Sequence, residues 1–326
     1  FSFNFIQMKK CNLLNYLMII IEEQRQNNQW GTSHVYQSTY NSFSTFIGSK
    51  DLSFSKLTPT LLKNYENHLR AHSCKWNTIA TYMKVLKAVY NRALESGHAK
   101  YVPHLFKHVH TTVRNERKLA LSENEMIALY STIHYNRCKG TEKLSEAQKY
   151  FMLMFLLRGI PFVDIAYLRK SDISGDFLFY NRRKTGRPLC VRLTPESKAL
   201  IEELSDKDIH NPYLFPIITS NEGSEKAYIE YQSALRSINQ CLKLISKENN
   251  SIPSISTYAA RHTWATMAYY CEIHPGIISA AMGHSSITVT ENYLKPFQND
   301  KIDNANMVVL SRIQYLCNLL KKDSKI

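Results

Sequence analysis

An unbroken apolar run in the middle of the chain constrains its fold more than any other feature. Residues 150–157 read YFMLMFLL, and the phenol of Tyr150 is the only polar group among their side chains. A helix that is apolar on every face is stable only when other elements enclose it. We therefore predict a buried helix inside a domain core. Arg158 follows directly, and a guanidinium at the end of such a helix needs an anionic partner.

Helix and strand signals along the chain predict a mainly α fold of the α+β class. Thr58-Pro59 places a cap residue before a proline at the first helical position, and the same signal recurs further along the chain. Segments 177–180 and 189–193 have the composition of two strands. The turn between them, NRRKTGRP, carries four basic residues. We expect a helical protein with one small antiparallel sheet.

The charge of the chain predicts a polyanionic partner. The 326 residues carry a net charge of +14, and the first 118 residues contribute 16 basic and 6 acidic side chains. This asymmetry favours nucleic acid first and an anionic membrane surface second. A surface that is merely rich in lysine is the alternative, and charge alone leaves it open.

The cysteine pattern and the hydropathy argue against disulfide-rich, zinc-binding and membrane-spanning proteins. The seven cysteines are dispersed without a CxxC pair, which argues against a disulfide framework and a zinc site. The apolar stretch 13–21 is too short to cross a bilayer. We expect a cytoplasmic protein with no metal, no cofactor and no membrane association.

The basic N-terminal part is predicted to be helical. A helix from about Asn77 to Leu94 turns Lys84 and Lys87 outward. These side chains contact a DNA backbone or form an ordinary solvated face, and the pattern favours neither. The polar, basic segment 99–119 contains three histidines without nearby metal-ligand partners. We interpret it as the connection between two domains and expect its histidines to contact phosphates.

Two segments near the C-terminus carry the chemistry. TYAARHTWAT sets Arg261 beside His262, and MGHSSITVTENY places Tyr293 nine residues after His284. An arginine holds a phosphodiester through two charge-assisted hydrogen bonds, and a histidine moves protons near neutral pH. A tyrosine can attack phosphorus to form a covalent intermediate. On a basic chain this combination points to the breakage and rejoining of DNA strands.

Other residues have both a structural and a functional interpretation. Asp164 could pair with Arg158 structurally, or orient it toward a bound phosphate. Lys184 at the turn is either an ordinary loop residue or the acid that protonates a leaving 5′-oxygen. The remaining basic residues proposed to contact the DNA backbone are Arg182, Arg183, Arg187 and His262.

From Leu13 to Lys295 the sequence resembles the tyrosine recombinases, the phage-integrase and Cre-like family. RHTWAT and MGHSSITVTENY are similar to the two C-terminal boxes of that family. The resemblance implies that Arg261 is the second catalytic arginine, His284 the histidine of the third box, and Tyr293 the nucleophile. It also implies that Lys184 is the catalytic lysine and Asp164 a supporting acid.

The chain departs from the family pattern at two positions. Pro161 stands where the first arginine is expected, and we assign Arg158, about one helical turn earlier, as its replacement. Tyr258 stands where a histidine usually precedes Arg261 by three residues; its phenol can donate a hydrogen bond to a phosphate. This form is similar to integrases of conjugative transposons and to phase-variation invertases.

The resemblance further implies the domain plan and the assembly. A SAM-like helical core-binding domain (1–110), a linker (111–119) and a catalytic domain (120–326) would clamp duplex DNA, and no arm-binding domain is expected before them. The partners would be inverted-repeat core sites bound by a homotetramer on synapsed DNA, with a monomer or dimer off DNA. Segment 307–320 would pack on a neighbouring copy or on its own domain. The expected location is the cytoplasmic nucleoid.

Two other functions remain open on the sequence. A type IB topoisomerase uses the same attack on one strand without synapsis. A DNA-binding regulator that has lost catalysis would be compatible with the departures at Pro161 and Tyr258. The function that the resemblance implies is site-specific recombination. DNA strands would be exchanged through a 3′-phosphotyrosyl link, for the integration, excision or inversion of mobile or invertible DNA.

Overall fold

The computed structural model describes residues 12–49, 52–112, 120–135, 142–248, 252–291, 293–294, 302–304 and 306–313. The chain divides into two compact units. The N-terminal unit is Phe1–Glu116 with Ser220–Ile229, and the C-terminal unit is Arg117–Thr219 with Glu230–Ile326. Segment 220–229, which we assigned to the catalytic domain, thus groups with the N-terminal unit. The domain boundaries inferred from the sequence stay a prediction.

Among the described residues, four α-helices lie wholly within the N-terminal unit, and local capping explains where two of them begin. The Asn12 side chain accepts a hydrogen bond from the backbone N–H of Asn15 at 2.7 Å. Thr58 does the same for Leu61 at 3.1 Å, with Pro59 at the first helical position as predicted. The helices are α1 (Leu13–Gln26), α2 (Trp30–Ile47), α3 (Pro59–Ala71) and α4 (Trp76–Glu95).

The segment after α4 packs on the N-terminal unit. Its Val102 N–H donates to the hydroxyl of Tyr90 at 2.8 Å, and that hydroxyl donates to the carbonyl of Lys100 at 3.0 Å. Leu105 and Val109 are buried in the same core. Much of the polar connection predicted from the sequence is therefore anchored, because Tyr90 satisfies its backbone groups.

The C-terminal unit combines helices with a small sheet, which confirms the predicted fold class. Strands β1 (Ile173–Ser174), β2 (Phe177–Asn181) and β3 (Pro188–Arg192) are antiparallel in the order β1-β2-β3. The helices are α5 (Glu123–Tyr135), α6 (Glu142–Leu156), α7 (Phe162–Ala166), α8 (Pro195–Leu204), α9 (Glu225–Glu248), α10 (Thr257–Tyr270), α11 (Pro275–Ala281) and α12 (Ile287–Glu291). Residues 225–229 at the start of α9 group with the N-terminal unit.

The apolar run lies in the core of this unit, as predicted. Phe151 and Leu153 are completely buried on α6, which contacts α10 and α8. The helix ends at Leu156, and a turn follows in which Arg158 and Gly159 both have positive φ, +60° and +68°. Arg158 is therefore a turn residue, because the helix has already ended before it.

Glycine is required at the second position of this turn. A Cβ atom at Gly159 would lie 2.8 Å from the Cα of Arg261, closer than any side chain tolerates. The positive φ adds strain for any residue with a side chain. The turn can therefore lie directly against α10 only with glycine at 159.

A further helical stretch lies near the C-terminus. Residues 302–304 and 306–313 are helical. The apolar side chains between 307 and 313 are 46–71% exposed: Met307, Val308, Val309, Leu310 and Ile313. The remainder of the predicted segment 307–320 lies outside the described residues. Among the helices that the structure describes, none combines the length and apolar character needed to cross a membrane.

Candidate active site

The β2–β3 turn places one basic residue inward and leaves the others at the surface. The Arg182 N–H donates to the carbonyl of Arg187 at 2.8 Å, and the N–H of Gly186 donates to the carbonyl of Arg182 at 2.7 Å. Arg182 is only 6% exposed, whereas Lys184 at the tip is exposed. The turn thus buries a guanidinium and presents an ammonium group to solvent.

Helix α10 supplies a second buried guanidinium. Tyr258, Arg261 and His262 stand at i, i+3 and i+4, so they share one face of the helix. The Arg261 side chain is 1% exposed. Its Nη1 donates to the carbonyl of Gly159 at 2.8 Å, and its Nη2 donates to the carbonyl of Met282 at 2.6 Å. Three separate chain segments therefore meet at this arginine.

The two guanidinium groups converge on one oxygen atom. Arg182 Nη1 donates to the same Met282 carbonyl at 2.9 Å. Burial lowers the pKa of Arg261, and the nearby charge of Arg182 lowers it further. Among the described residues, the buried Nε of Arg261 has no hydrogen-bond acceptor. Two like charges with a spare buried donor form a site suited to an anion.

Asp164 belongs to the turn arginines, which corrects one sequence-based interpretation. Its carboxylate accepts a hydrogen bond from the backbone N–H of Arg183 at 3.0 Å and lies 3.7 Å from Arg182 Nε. Burial raises the pKa of Asp164 even though that N–H and the arginine charges oppose the rise. Arg158 instead donates to the carbonyl of Cys190 at 3.1 Å. The expected pairing of Asp164 with Arg158 is therefore replaced by a pairing with Arg182.

His284 lies against Arg261. The Nε2 atom of His284 is 2.8 Å from Arg261 Nη2, and its Nδ1 is 2.8 Å from Thr290 Oγ1. Burial lowers the pKa of His284 to about 3, helped by the charges of Arg261, Arg182 and Lys184. The imidazole is consequently neutral at physiological pH, with one ring nitrogen able to accept a hydrogen bond.

The Tyr293 side chain lies over these groups. Its ring stacks on His284 with centroids 4.9 Å apart and an interplanar angle of 27°, and the His262 ring lies at 4.7 Å. The Arg261 Cζ atom is 5.6 Å from the centre of the Tyr293 ring. The hydroxyl groups of Tyr258 and Tyr293 are hydrogen-bonded to each other. Burial raises the pKa of Tyr258, and its contact with Tyr293 adds to the effect.

The structure therefore brings most of the predicted site residues together. The group that meets around the Met282 carbonyl and the Tyr293 ring comprises Arg261, His284, Tyr293, Tyr258, His262, Asp164 and Arg182. The rest of the turn packs on the same loop, because Arg187 donates to the carbonyl of His284 and Thr185 donates to that of Gly283 at 3.4 Å.

The side chains of the other predicted residues make other contacts or are exposed. The Arg183 guanidinium is stacked 3.7 Å above the ring centre of Tyr167. Lys84 and Lys87 are exposed on α4 in the N-terminal unit. Within the described part of the chain, no cluster of three or more histidine, cysteine or acidic side chains could hold a metal ion.

From the sequence, Arg182 was assigned only a contact with the DNA backbone. The alternation of side chains along β2 could have indicated that Arg182 is buried. Side chains alternate along a strand. Leu178 is buried on β2, Tyr180 is half-buried, and Arg182 continues the same face two residues later. A basic residue in register with the buried face of a strand is predicted to point inward. The alternation thus distinguishes Arg182 from Arg183.

Comparisons with known proteins agree with this architecture. The phage integrase SAM-like domain matches residues 12–109, and the phage integrase family matches residues 119–300. No curated protein sequence matches significantly. The Tn1549 transposon integrase in complex with transposon right end DNA superposes with a TM-score of 0.65 at 14% identity, covering 92% of this chain and all of that one.

A lambda integrase dimer bound to a COC′ core site gives a TM-score of 0.58 at 16% identity, covering 87% of this chain and 77% of that chain. At such identities these likenesses show the fold, whereas the family match spans more than half of the sequence. The chain therefore belongs to the phage integrase family, the tyrosine-type site-specific DNA recombinases.

Proposed function

We propose that the protein cuts and rejoins duplex DNA through a 3′-phosphotyrosyl intermediate formed by Tyr293. One observation carries the proposal: two buried guanidinium groups, Arg182 and Arg261, converge beside a neutral histidine and the Tyr293 ring. A scissile phosphate would give the spare donor of Arg261 an acceptor and neutralise the paired positive charges.

In this proposal the two arginines form the phosphate clamp. Arg261 takes the role that the family resemblance implies for it. Arg182 supplies the second guanidinium, which Pro161 cannot provide. Arg158, the replacement inferred from the sequence, is half-buried and hydrogen-bonded to Cys190, so it contributes less to the clamp. Asp164 orients Arg182 through the contact between its carboxylate and Arg182 Nε.

The chemistry is a balanced exchange of phosphodiester bonds. The Tyr293 oxygen attacks phosphorus, the bond to the 5′-oxygen breaks, and Lys184 gives that oxygen a proton. The bound phosphate engages Arg261 and offsets the positive charges that lower the pKa of His284, so that the released Nε2 takes the phenol proton. Tyr258 donates a hydrogen bond to a non-bridging oxygen. Attack by a 5′-hydroxyl of the partner strand reverses the step, so that no phosphodiester is lost to water.

The proposed partners are duplex DNA with inverted-repeat core sites and further copies of this chain. The net charge of +14 and the exposed Lys84 and Lys87 support DNA binding in the N-terminal unit. The exposed apolar helix 306–313 supports contact with a neighbouring copy. Lambda integrase has been seen as a tetramer bound to a Holliday junction. We propose the same state for this chain on synapsed nucleoid DNA during integration, excision or inversion.

A nicked suicide substrate tests the proposal. Loss of the short fragment beyond the nick traps the covalent adduct, which is measured by denaturing electrophoresis. We expect an adduct with the wild-type protein, none with Tyr293→Phe, and an undiminished amount with the control Tyr130→Phe, whose side chain is exposed on α5.

Other outcomes of this assay, together with DNA-binding and supercoil-relaxation assays, identify the rival functions. An adduct that persists in Tyr293→Phe contradicts the assignment of the nucleophile. Specific DNA binding by the wild type without any adduct indicates a regulator that has lost catalysis. Relaxation of supercoiled DNA by monomers at sites without sequence preference indicates a type IB topoisomerase.

A further inference from the structure

A buried hydroxyl contacts the side of His284 that faces away from Arg261. Thr290 lies on α12 and is completely buried. Its Oγ1 is 2.8 Å from His284 Nδ1, and its carbonyl accepts a hydrogen bond from the backbone N–H of Tyr293 at 2.8 Å. One residue thus holds both the imidazole and the backbone of the tyrosine. Neither motif analysis nor the family resemblance singled it out.

The partners of the ring determine which nitrogen carries the hydrogen. A guanidinium has only donors, so His284 Nε2 must act as the acceptor in its 2.8 Å contact with Arg261. A neutral imidazole has one N–H. That hydrogen therefore sits on Nδ1 and is donated to Thr290 Oγ1. The two hydrogen bonds are compatible with each other in this tautomer alone.

We propose that Thr290 is a positioning residue that fixes the Nδ1–H tautomer of His284 and keeps the Nε2 lone pair directed at Arg261 in the DNA-free protein. The inference rests on the proposed function, because it gives His284 the acceptor role in proton transfer from Tyr293. It adds the residue on which that role depends. Thr290 itself acts through His284 and contacts no reacting atom.

The surroundings of His284 explain why the tautomer needs support. The charges of Arg261, Arg182 and Lys184 all act on the ring, and the Tyr293 ring covers one of its faces. Without the Thr290 hydroxyl, the Nδ1–H would be buried without an acceptor. A shift of the hydrogen to Nε2 would relieve that loss but would set two donors against each other at Arg261. The first outcome destabilises the ring in this orientation, and the second breaks its contact with Arg261.

The test compares Thr290→Val, which keeps the shape and removes the hydroxyl, with Thr290→Ser, which keeps the hydroxyl. The first readout is the tautomer of His284, measured without DNA from the nitrogen chemical shifts of the ring. The second is single-turnover cleavage of the suicide substrate across pH. We expect Thr290→Val to lose the pure Nδ1–H signature and to cleave about 10- to 100-fold more slowly. Thr290→Ser should retain the tautomer and cleave within about threefold of wild type.

The outcomes separate this inference from the proposed function. An Nε2–H tautomer in the wild type overturns the inference without any variant, so the test survives a poorly folding Thr290→Val protein. Wild-type cleavage by a well-folded Thr290→Val protein also overturns it. The tautomer could respond to Thr290 as expected while the adduct does not depend on Tyr293. That result would contradict the proposed function and support the inferred role of the Thr290 contact.

Discussion

Each unit of the molecule buries a carboxylate among basic groups, and the two cases differ. In the N-terminal unit, Glu66 lies 2.5 Å from Lys63 Nζ and 2.6 Å from the backbone nitrogen of His110. Burial opposes ionisation, but these bonds outweigh it and lower the pKa of Glu66. In the C-terminal unit, Asp164 lies 3.7 Å from Arg182 Nε, and burial raises its pKa.

These two carboxylates show how a structural ion pair differs from a binding site. At Glu66 one carboxylate balances one ammonium group, and its bonds to Lys63 and to the backbone of His110 fix the segment at His110 to α3. Around Asp164 the positive charge of Arg182 and Arg261 exceeds what one carboxylate balances, and the buried Arg261 Nε lacks an acceptor among the described residues. An unbalanced, unsatisfied cluster indicates a ligand from outside the chain.

Among the substitutions that test this comparison, replacement of Arg182 should produce the largest effect. Arg182→Ala removes one of the two converging donors, and we expect strand cleavage to fall by about 10²- to 10³-fold. Arg158→Ala should reduce cleavage by less than about tenfold, because its guanidinium is bonded to Cys190. Single-turnover adduct formation measures both, with Arg182→Lys as a variant that retains the charge opposite Asp164. Equal losses in the two alanine variants would contradict the assignment of Arg182 to the clamp.

Replacement of Glu66 should lower the stability of the fold and leave the rate of DNA cleavage unchanged. Glu66→Gln weakens a buried charge-assisted network, so we expect a loss of about 1–3 kcal/mol in the free energy of unfolding. Chemical denaturation measures this, with Glu95→Gln as an exposed control on the neighbouring helix α4. Cleavage of bound substrate should remain at the wild-type rate below the unfolding transition. A slower cleavage rate without a loss of stability would show that Glu66 takes part in function. The distinction between a structural ion pair at Glu66 and a binding site at Asp164 would then be wrong.

The stability of the DNA-free protein should depend on pH through His284. Its pKa is about 3 in the folded chain against an ordinary 6.5, so the unfolded state binds more protons between these values. Stability is complete above pH 6.5 and falls as pH decreases toward 3. From pH 7 to pH 5 we expect His284 to contribute a loss of about 1–2 kcal/mol.

The measurement is the difference in unfolding free energy between the wild type and His284→Gln across that range. The variant should show the shallower dependence, and the comparison cancels the contribution of Asp164. Parallel curves for the two proteins would mean that His284 is not held neutral by the positive cluster.

Replacement of a surface lysine should produce the smallest effect. Lys87→Ala removes one exposed charge from α4, and we expect DNA affinity to fall about three- to tenfold with a decrease of about 0.9 in the salt-dependence slope. Binding isotherms at several salt concentrations measure both. An unchanged slope would show that Lys87 contacts no phosphate and that this face of α4 is simply solvated.

Sequence patterns predicted the elements of this fold well, because local physics sets them. The Thr58-Pro59 start, the helix from about Asn77 and the buried run at 150–157 are all confirmed. Boundaries were harder to predict, since Tyr90 and Glu66 anchor the segment after α4 through contacts far along the chain.

The sequence predicted most of the residues that form the site, but not which of them contact one another. Local spacing placed Arg261 beside His262 and Tyr293 near His284, and the family resemblance assigned the two segments to one site. The partners of Arg158 and Asp164 depend on how the β2–β3 turn folds back onto the Met282 loop, and no local pattern encodes that. Thr290 was missed for a similar reason, because its hydroxyl matters only through the ring that it contacts.

The contact at Gly159 limits which sequences this fold can accept. The turn that carries Pro161 approaches α10 so closely that one added methyl group would collide with the helix backbone. Saturation mutagenesis at this position should therefore recover glycine alone, although the residue offers no group to DNA. A position without any side chain would then rank among the least replaceable in the protein.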